Sequence, residues 1–251
     1  NLTPMGVIMM VRNITENVKL DNLRKEFVSN VSHELKTPLT SIKGYSETIM
    51  NGDLTYEEIK RFSKVINQEA NRMGRLVSDL LQLSRFDYKK VSWKKMMFSL
   101  DELALGVCEK MRFQAEQKKH KLECIVSNKP AQVYADRDAI ERVIINIVSN
   151  SIKYTPDGGI ITVYVGSVNS NAYFKVVDNG IGIPAKDLDR IFERFYRVDK
   201  ARSRKAGGTG LGLSIVKEMI EGNNGTIDIR SEVNKGTEVI VTLPTKIDTK
   251  K

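Results

Sequence analysis

The chain contains two histidines, and the residues around one of them are suited to phosphoryl chemistry. His33 lies two residues after Val31 and two before Leu35. On a helix that spacing puts it about 200° from each, opposite the apolar stripe and open to a phosphate donor. Glu34 follows directly. A carboxylate there can hydrogen-bond one imidazole nitrogen, fix the tautomer and leave the other nitrogen with the attacking lone pair. It can also take up the proton released on phosphorylation. Thr37 lies one turn further along the same face, where a hydroxyl can orient a water. Pro38 lacks an N–H, and its ring crowds the Glu34 carbonyl, which predicts a bend just past the nucleophile. His120, in EQKKHKLE at a charged helix exit, is expected to be a solvated surface residue.

A second set of residues suits a nucleotide. Asn146 and Asn150 stand four apart on one predicted helix face, as do Asn150 and Tyr154. Two amides inside a helix are poor helix formers, and their carbonyl oxygens suit a hard Mg²⁺ ion. DNGIGIP at 178–184 would be an ordinary turn on its own, but here it follows a predicted strand. GGTGLGL at 207–213 opens a helix, so its free N–H groups and positive helix end suit a triphosphate. It is no Walker loop, because no GK[ST] follows, and no G-x-G-x-x-G stands between a strand and a helix. Between Phe195 and Gly207 the run YRVDKARSRKAG is basic, poor in apolar anchors and flanked by glycines. That describes a lid over phosphates.

The elements that must carry these groups are legible from periodicity. From Leu20 apolar residues recur at spacings of three and four through Ile49, and Asn51-Gly52-Asp53 breaks the helix. Thr55 and Glu58 form a capping box for a second helix striped from Ile59 to Leu83. Two helices alone bury little. Pairing two hairpins into a four-helix bundle hides both stripes and predicts a homodimer. After a polar, basic linker the pattern turns α/β. Ser99 and Glu102 cap a helix running toward Lys118, and a second helix is predicted over 137–153 and a third over 211–221. Strands are predicted at 121–127, 132–134, 160–166, 173–177, 226–231 and 237–243. The mixture implies an α/β sandwich with helices over one sheet face.

With 251 residues the chain has room for two domains. The net charge of +9 raises a nucleic-acid or membrane reading, but the basic residues recur as scattered pairs and one run from Arg197 to Lys205. Solvated faces explain the pairs and a place near phosphates explains the run, so direct nucleic-acid or membrane contact is not expected. No stretch approaches the ~20 apolar residues of a membrane span. Cys108 and Cys124 stand singly, with no metal-ligand spacing, and read as reduced packing residues.

Five motifs therefore stand in one order: HELKTP at 33–38, NIVSNSIKYT at 146–155, DNGIGIP, FERFYR at 192–197, and GGTGLGL. In this order they resemble the transmitter region of a sensor histidine kinase of two-component signalling, over about residues 20–244. The resemblance implies an α+β protein of two domains: a helical hairpin forming a dimeric four-helix bundle, and a Bergerat-type (GHKL) α/β sandwich. The expected boundaries are 1–19 for the end of a preceding PAS-like sensor domain and signalling helix, and 20–88 for dimerisation and histidine phosphotransfer. A linker and first strand take 89–98, and the ATP-binding domain takes 99–251.

The resemblance makes His33 the phosphorylated residue, Glu34 its partner and Thr37 a support for dephosphorylating the response regulator. Asp178 then reads the adenine amine, with Gly180 and Gly182 allowing close backbone approach and Ile183 beside them. Asn150 becomes the direct Mg²⁺ ligand with Asn146 in support. Lys153 meets phosphate and Tyr154 the nucleotide's edge. Arg194, Arg197, Gly208, Thr209, Gly210, Leu211, Gly212 and Thr237 complete the expected ATP site. The implied partners are a second copy and a response regulator of the winged-helix DNA-binding class. The implied setting is the cytoplasmic portion of a cell-membrane protein. Ser151 stands where the family usually has Ala, and Asn223-Asn224 replaces the usual His-Gly, with no expected loss of chemistry. A gyrase- or chaperone-type ATPase would share the nucleotide motifs but need no HELKTP, and usually has a catalytic Glu where Asn146 stands. A non-catalytic scaffold should have lost Asp178 or the asparagines.

Overall fold

The computed structural model describes residues 13–88, 91–169, 171–199 and 208–245. Residues 1–12 of the sensor-domain end and signalling helix expected over 1–19, and most of the expected lid, 200–207, lie outside the described residues. The chain divides into two compact units, residues 1–73 and 74–251.

The first unit is a helical hairpin made of α1 (Thr15–Asn51) and the leading part of α2 (Tyr56–Asp87). Helix α1 stops where Gly52 donates its N–H to the Thr48 carbonyl. Helix α2 starts on the predicted capping box: the Thr55 N–H donates to Glu58 Oε2 at 3.0 Å and the Glu58 N–H to Thr55 Oγ1 at 3.4 Å. The Tyr45 and Phe62 rings meet across the hairpin with centroids 5.2 Å apart. Helix α1 runs through Pro38 as one element. Around it the hydroxyls of Ser32, Thr37 and Thr40 bond back to the carbonyls of Val28, His33 and Lys36. Among the described residues of this unit, Pro38 is the only apolar one fully buried. Leu35, Ile42 and Ile49 of the stripe are only half-buried, and Val28, Leu39 and Met50 beside it are 62%, 56% and 78% exposed, so one hairpin does not enclose its apolar residues.

The second unit begins inside α2. Leu76 and Leu83 of that helix are buried, and Phe86 stacks on Trp93. Strand β1 (Lys95–Ser99) pairs antiparallel with β3 (Gln132–Asp136) in a small sheet. The main sheet joins β2 (Lys121–Val126), β4 (Ile160–Val168), β5 (Asn171–Asp178), β7 (Gly236–Pro244) and β6 (Thr226–Glu232) in that order. Only the β2–β4 pairing is parallel. Helices α3 (Leu100–Gln117), α4 (Arg137–Tyr154) and α6 (Gly212–Gly222) pack against it, with a short α5 (Ala185–Leu188) near the pocket described below. Ser99 caps α3 by accepting from the Glu102 N–H at 3.2 Å, as its sequence predicts.

Alternation in the strands sets which residues face the helices. In β5, Ala172, Phe174, Val176 and Asp178 are buried while their neighbours are less so. Lys175 turns the other way to pair with Glu238 at 3.0 Å and lie over the Tyr164 ring. The same parity that buries Phe174 and Val176 therefore carries a carboxylate into the helix-facing layer at the strand's end.

Candidate functional site: an exposed histidine and a nucleotide-type pocket

His33 is exposed on α1. Its neighbour Glu34 reaches Arg72 of α2, with Oε2 2.8 Å from a guanidinium nitrogen, and both side chains are nearly buried at 13% and 9% exposure. Glu69 adds a second carboxylate 3.5 Å from Arg72. The structure thus gives Glu34 a partner that the sequence did not suggest. The Thr37 hydroxyl donates to the His33 carbonyl at 3.1 Å, so in this state it serves the helix.

The second unit holds a cavity of about 420 Å³ between α4, the ends of β5 and β7, and the loops that lead into α6. Its floor is Asp178, only 9% exposed. Its Oδ1 accepts the N–H groups of Gly180 at 3.0 Å and Thr237 at 3.2 Å, and Oδ2 accepts the Ser151 hydroxyl at 2.7 Å. Burial pushes this carboxyl upward, and the Ser151, Gly180 and Thr237 donors pull it back. A buried acceptor fixed in this way can read an amine on a ligand edge. Ser151 reaches it because α4 buries Ile144, Ile147, Val148 and Ser151 on one stripe. Asn146, Asn150, Lys153 and Tyr154 fall beside that stripe and line the cavity. Lys153 holds its ammonium 4.8 Å from the Tyr154 ring centroid. Asp136 fixes the other end of α4 by accepting from the Ala139 N–H.

Two glycines are required by close approach. Gly182 has φ +69°, and a Cβ there would stand 2.0 Å from the Glu232 carbonyl oxygen. A Cβ on Gly212, at the start of α6, would stand 2.6 Å from Asn146 Oδ1. The glycine-rich loop is tied to the FERFYR segment, where the Phe195 N–H donates to the Gly210 carbonyl at 2.9 Å. Phe195 itself takes φ +65°, uncommon for a bulky side chain.

Of the residues expected at an ATP site, Asn146, Asn150, Lys153, Tyr154, Asp178, Gly182 and Ile183 line this cavity. Arg197, Gly208, Thr209, Gly210, Gly212 and Thr237 line it as well. Three do not. Gly180 sits below, where its N–H orients Asp178 and an added Cβ would meet Oδ1 at 2.8 Å. Leu211 is fully buried in the core. Arg194 forms a forked pair with Asp87, at 2.8 Å to Oδ2. Sequence reasoning missed Arg75 and Asp79, which also line the cavity, because on α2 they read as a plain polar face. It also misplaced His120, which is 6% exposed with Nε2 2.9 Å from the Pro156 carbonyl oxygen. Its charged neighbours suggested solvent, but the chain turns inward at Lys119, where φ is +57°. Asn223 is buried and structural: its Oδ1 accepts from the Asp136 N–H and its amide donates to the Met219 carbonyl.

A pocket built on a buried carboxylate, paired asparagines and a glycine-rich helix start marks an ATPase-type domain, here on a chain that also carries a hairpin with an exposed histidine. Residues 135–247 match the family described as Histidine kinase-, DNA gyrase B-, and HSP90-like ATPase, and residues 23–89 match the His Kinase A (phospho-acceptor) domain. The chain thus carries the two domains of a histidine kinase core, a phospho-acceptor domain followed by an ATPase domain. It is 43% identical to sensor histidine kinase WalK of Bacillus subtilis over 246 residues, 96% of this chain and 40% of the relative. The chain thus spans about two fifths of the length of that relative. Among solved structures, the Acinetobacter baumannii histidine kinase AdeS is similar at 25% identity with a TM-score of 0.70, covering 86% of this chain and 98% of AdeS. Full-length ShkA, solved in complex with AMPPNP, matches at 25% identity with a TM-score of 0.66, covering 87% of this chain and 45% of ShkA.

Proposed function

We propose that this chain transfers the γ-phosphoryl group of ATP to His33 and passes it to an aspartate of a response regulator. The observation that carries this reading is Asp178, a carboxylate buried at the floor of a nucleotide-sized cavity with its acceptor oxygens fixed by three donors. Such a group favours adenine, whose exocyclic amine donates, over guanine, whose corresponding carbonyl cannot. The likeness to ShkA, solved in complex with AMPPNP, supports a nucleotide as the ligand.

Asn150, with Asn146 one turn away on the same cavity wall, would hold a Mg²⁺ ion, which when bound neutralises phosphate charge. Lys153, Arg197 and the α6 start surround the phosphates, and Tyr154 and Ile183 flank the base. Imidazole attack forms a nitrogen–phosphorus bond, breaks the bond to the departing ADP oxygen and releases the imidazole proton, for which Glu34 is the nearest base in sequence. Arg72 fixes the direction of the Glu34 carboxylate. Thr37 orients the water that later hydrolyses the regulator's acyl phosphate.

The working unit is a homodimer built on residues 20–88, since the exposed apolar residues of one hairpin need a second to cover them. Residues 89–98 link it to the ATP-binding domain at 99–251. The regulator is of the winged-helix DNA-binding class. Among the described residues no helix is long and apolar enough to cross a membrane. The chain is placed as the cytoplasmic part of a membrane sensor. The test is incubation with γ-labelled ATP. Wild type should acquire an acid-labile, base-stable label, His33→Gln should acquire none while binding ATP as before, and label persisting in His33→Gln would overturn the assignment.

A further inference from the structure

The cavity wall contains a carboxylate that no step above uses. Asp79, on the part of α2 that belongs to the second unit, accepts a hydrogen bond from the Thr209 hydroxyl at 3.0 Å on Oδ2. Thr209 stands in the middle of the glycine-rich loop, and the same hydroxyl accepts the Leu211 N–H at 3.3 Å. A hydroxyl has one proton to donate. While it goes to Asp79, Thr209 cannot give it to a phosphate. Asp79 lines the cavity together with Arg75, Asn146 and Lys153. Its surroundings disfavour its charge: burial pushes the carboxyl upward, against the Thr209 hydrogen bond and the nearby Arg142 and Arg75. Arg142 is itself engaged by Gln82 of the same helix as Asp79.

We propose that Asp79 is an affinity-determining residue of the nucleotide site: its carboxylate occupies the place of a phosphate oxygen on Thr209, and an incoming ATP must displace it. Two anions cannot share one donated proton, so Asp79 docked on Thr209 and a triphosphate bound there exclude each other. Triphosphate entry then costs the free energy of releasing Asp79, and the apparent affinity falls by the fraction of molecules in which Thr209 is free. Because Asp79 lies on α2, ATP binding loosens this end of the helix from the glycine-rich loop. The inference rests on reading the cavity as an ATP site and adds to that reading an internal competitor for the phosphates.

The test compares ATP with adenosine, which reaches Asp178 but carries no phosphate. Calorimetric titrations with Mg·ATP and with adenosine are run on wild type, Asp79→Asn and Asp178→Asn. Asparagine in place of Asp79 keeps the size and an acceptor for Thr209 but loses the charge, so the fold is retained. If the competing state is about nine-tenths populated, Asp79→Asn should bind ATP about tenfold more tightly, with adenosine unchanged within about twofold. Hydrogen exchange over residues 74–87 of wild type should rise on adding ATP and stay level on adding adenosine. Parallel changes in ATP and adenosine affinity, or weaker ATP binding by Asp79→Asn, would overturn the inference while leaving the ATP reading intact. Asp178→Asn should weaken both ligands. If wild type binds neither ATP nor adenosine, the ATP reading and this inference fall together.

Discussion

Asp178 bears opposing demands. To read an adenine amine as proposed it must be ionised and accessible, yet it is buried, and its carboxyl is pushed upward chiefly by that burial. A folded-state value above the unfolded one means that the native protein takes up the proton more readily. The group's contribution to stability is therefore full at acid pH and is lost as pH rises through the raised value. Asparagine fits the same hydrogen bonds, since its carbonyl can accept from Gly180 and Thr237 while its amide faces the Ser151 oxygen. Asp178→Asn should weaken ATP binding and relax selection against GTP. Without nucleotide, the variant should melt no lower than wild type at neutral pH, and its advantage should vanish toward acid pH. For a unit of this size each kcal/mol would move the midpoint by about 2–4 °C. Melting curves of both proteins across the acid-to-neutral range check the sign, and a variant equally stabilised at every pH would show that the buried charge is not the cause. Thr37 offers a second test at this scale. Its hydroxyl bonds the His33 carbonyl and supplies neither nucleophile nor base. Thr37→Ala should keep His33 labelling within a few-fold and slow regulator dephosphorylation by roughly tenfold, about 1.4 kcal/mol of barrier. Equal loss of both rates would make it a helix-support residue instead.

At the scale of elements, local pattern was readable and long-range contact was not. The capping box at Thr55, the Ser99 cap and the register that puts Asp178 inward all follow from spacing, and the structure contains them. Strand ends ran longer than expected, with β4 extending to Val168 and β5 starting at Asn171, because a hairpin keeps pairing wherever its partner continues. Helix α5 has four residues and offers no period to read. The Arg72–Glu34 pair, the Arg194–Asp87 fork and the Asp79–Thr209 contact join residues 38, 107 and 130 positions apart, beyond what a local pattern encodes. Gly182 shows how tightly the pocket loop is fitted. Gly182→Ala would meet the Glu232 carbonyl while holding a left-handed φ, so it should cost about 1–3 kcal/mol and weaken ATP binding. Chemical denaturation together with nucleotide titration measures both losses. Unchanged stability would mean that the 181–183 turn relaxes freely.

For the whole molecule the hairpin sets the main constraint. Val28, Leu39 and Met50 are left open by a single chain, whereas the sandwich encloses Phe174, Ile144, Leu211 and Leu243 on its own. The two units should therefore respond differently to concentration. Dilution should dissociate the dimer and lower helix content and His33 labelling together, while the sandwich still binds nucleotide. Light scattering and circular dichroism over a dilution series, alongside ATP titrations, test this. A mass that stays monomeric at high concentration with full labelling would dismiss the bundle.

The Gly180 and Thr237 amides converge on one oxygen of Asp178. Each amide proton is thereby a spectroscopic witness to that carboxylate. Its chemical shift reports how much negative charge the oxygen carries, and its exchange rate reports how firmly the oxygen is held. Thr237 opposes Asp178 across the β5–β7 ladder, while Gly180 lies in the turn beyond. A ligand that engages the carboxylate must move both resonances in concert, whereas one that fills only the phosphate end should leave them still. Two backbone signals could then sort nucleotides, fragments and inhibitors by which end of the pocket they occupy.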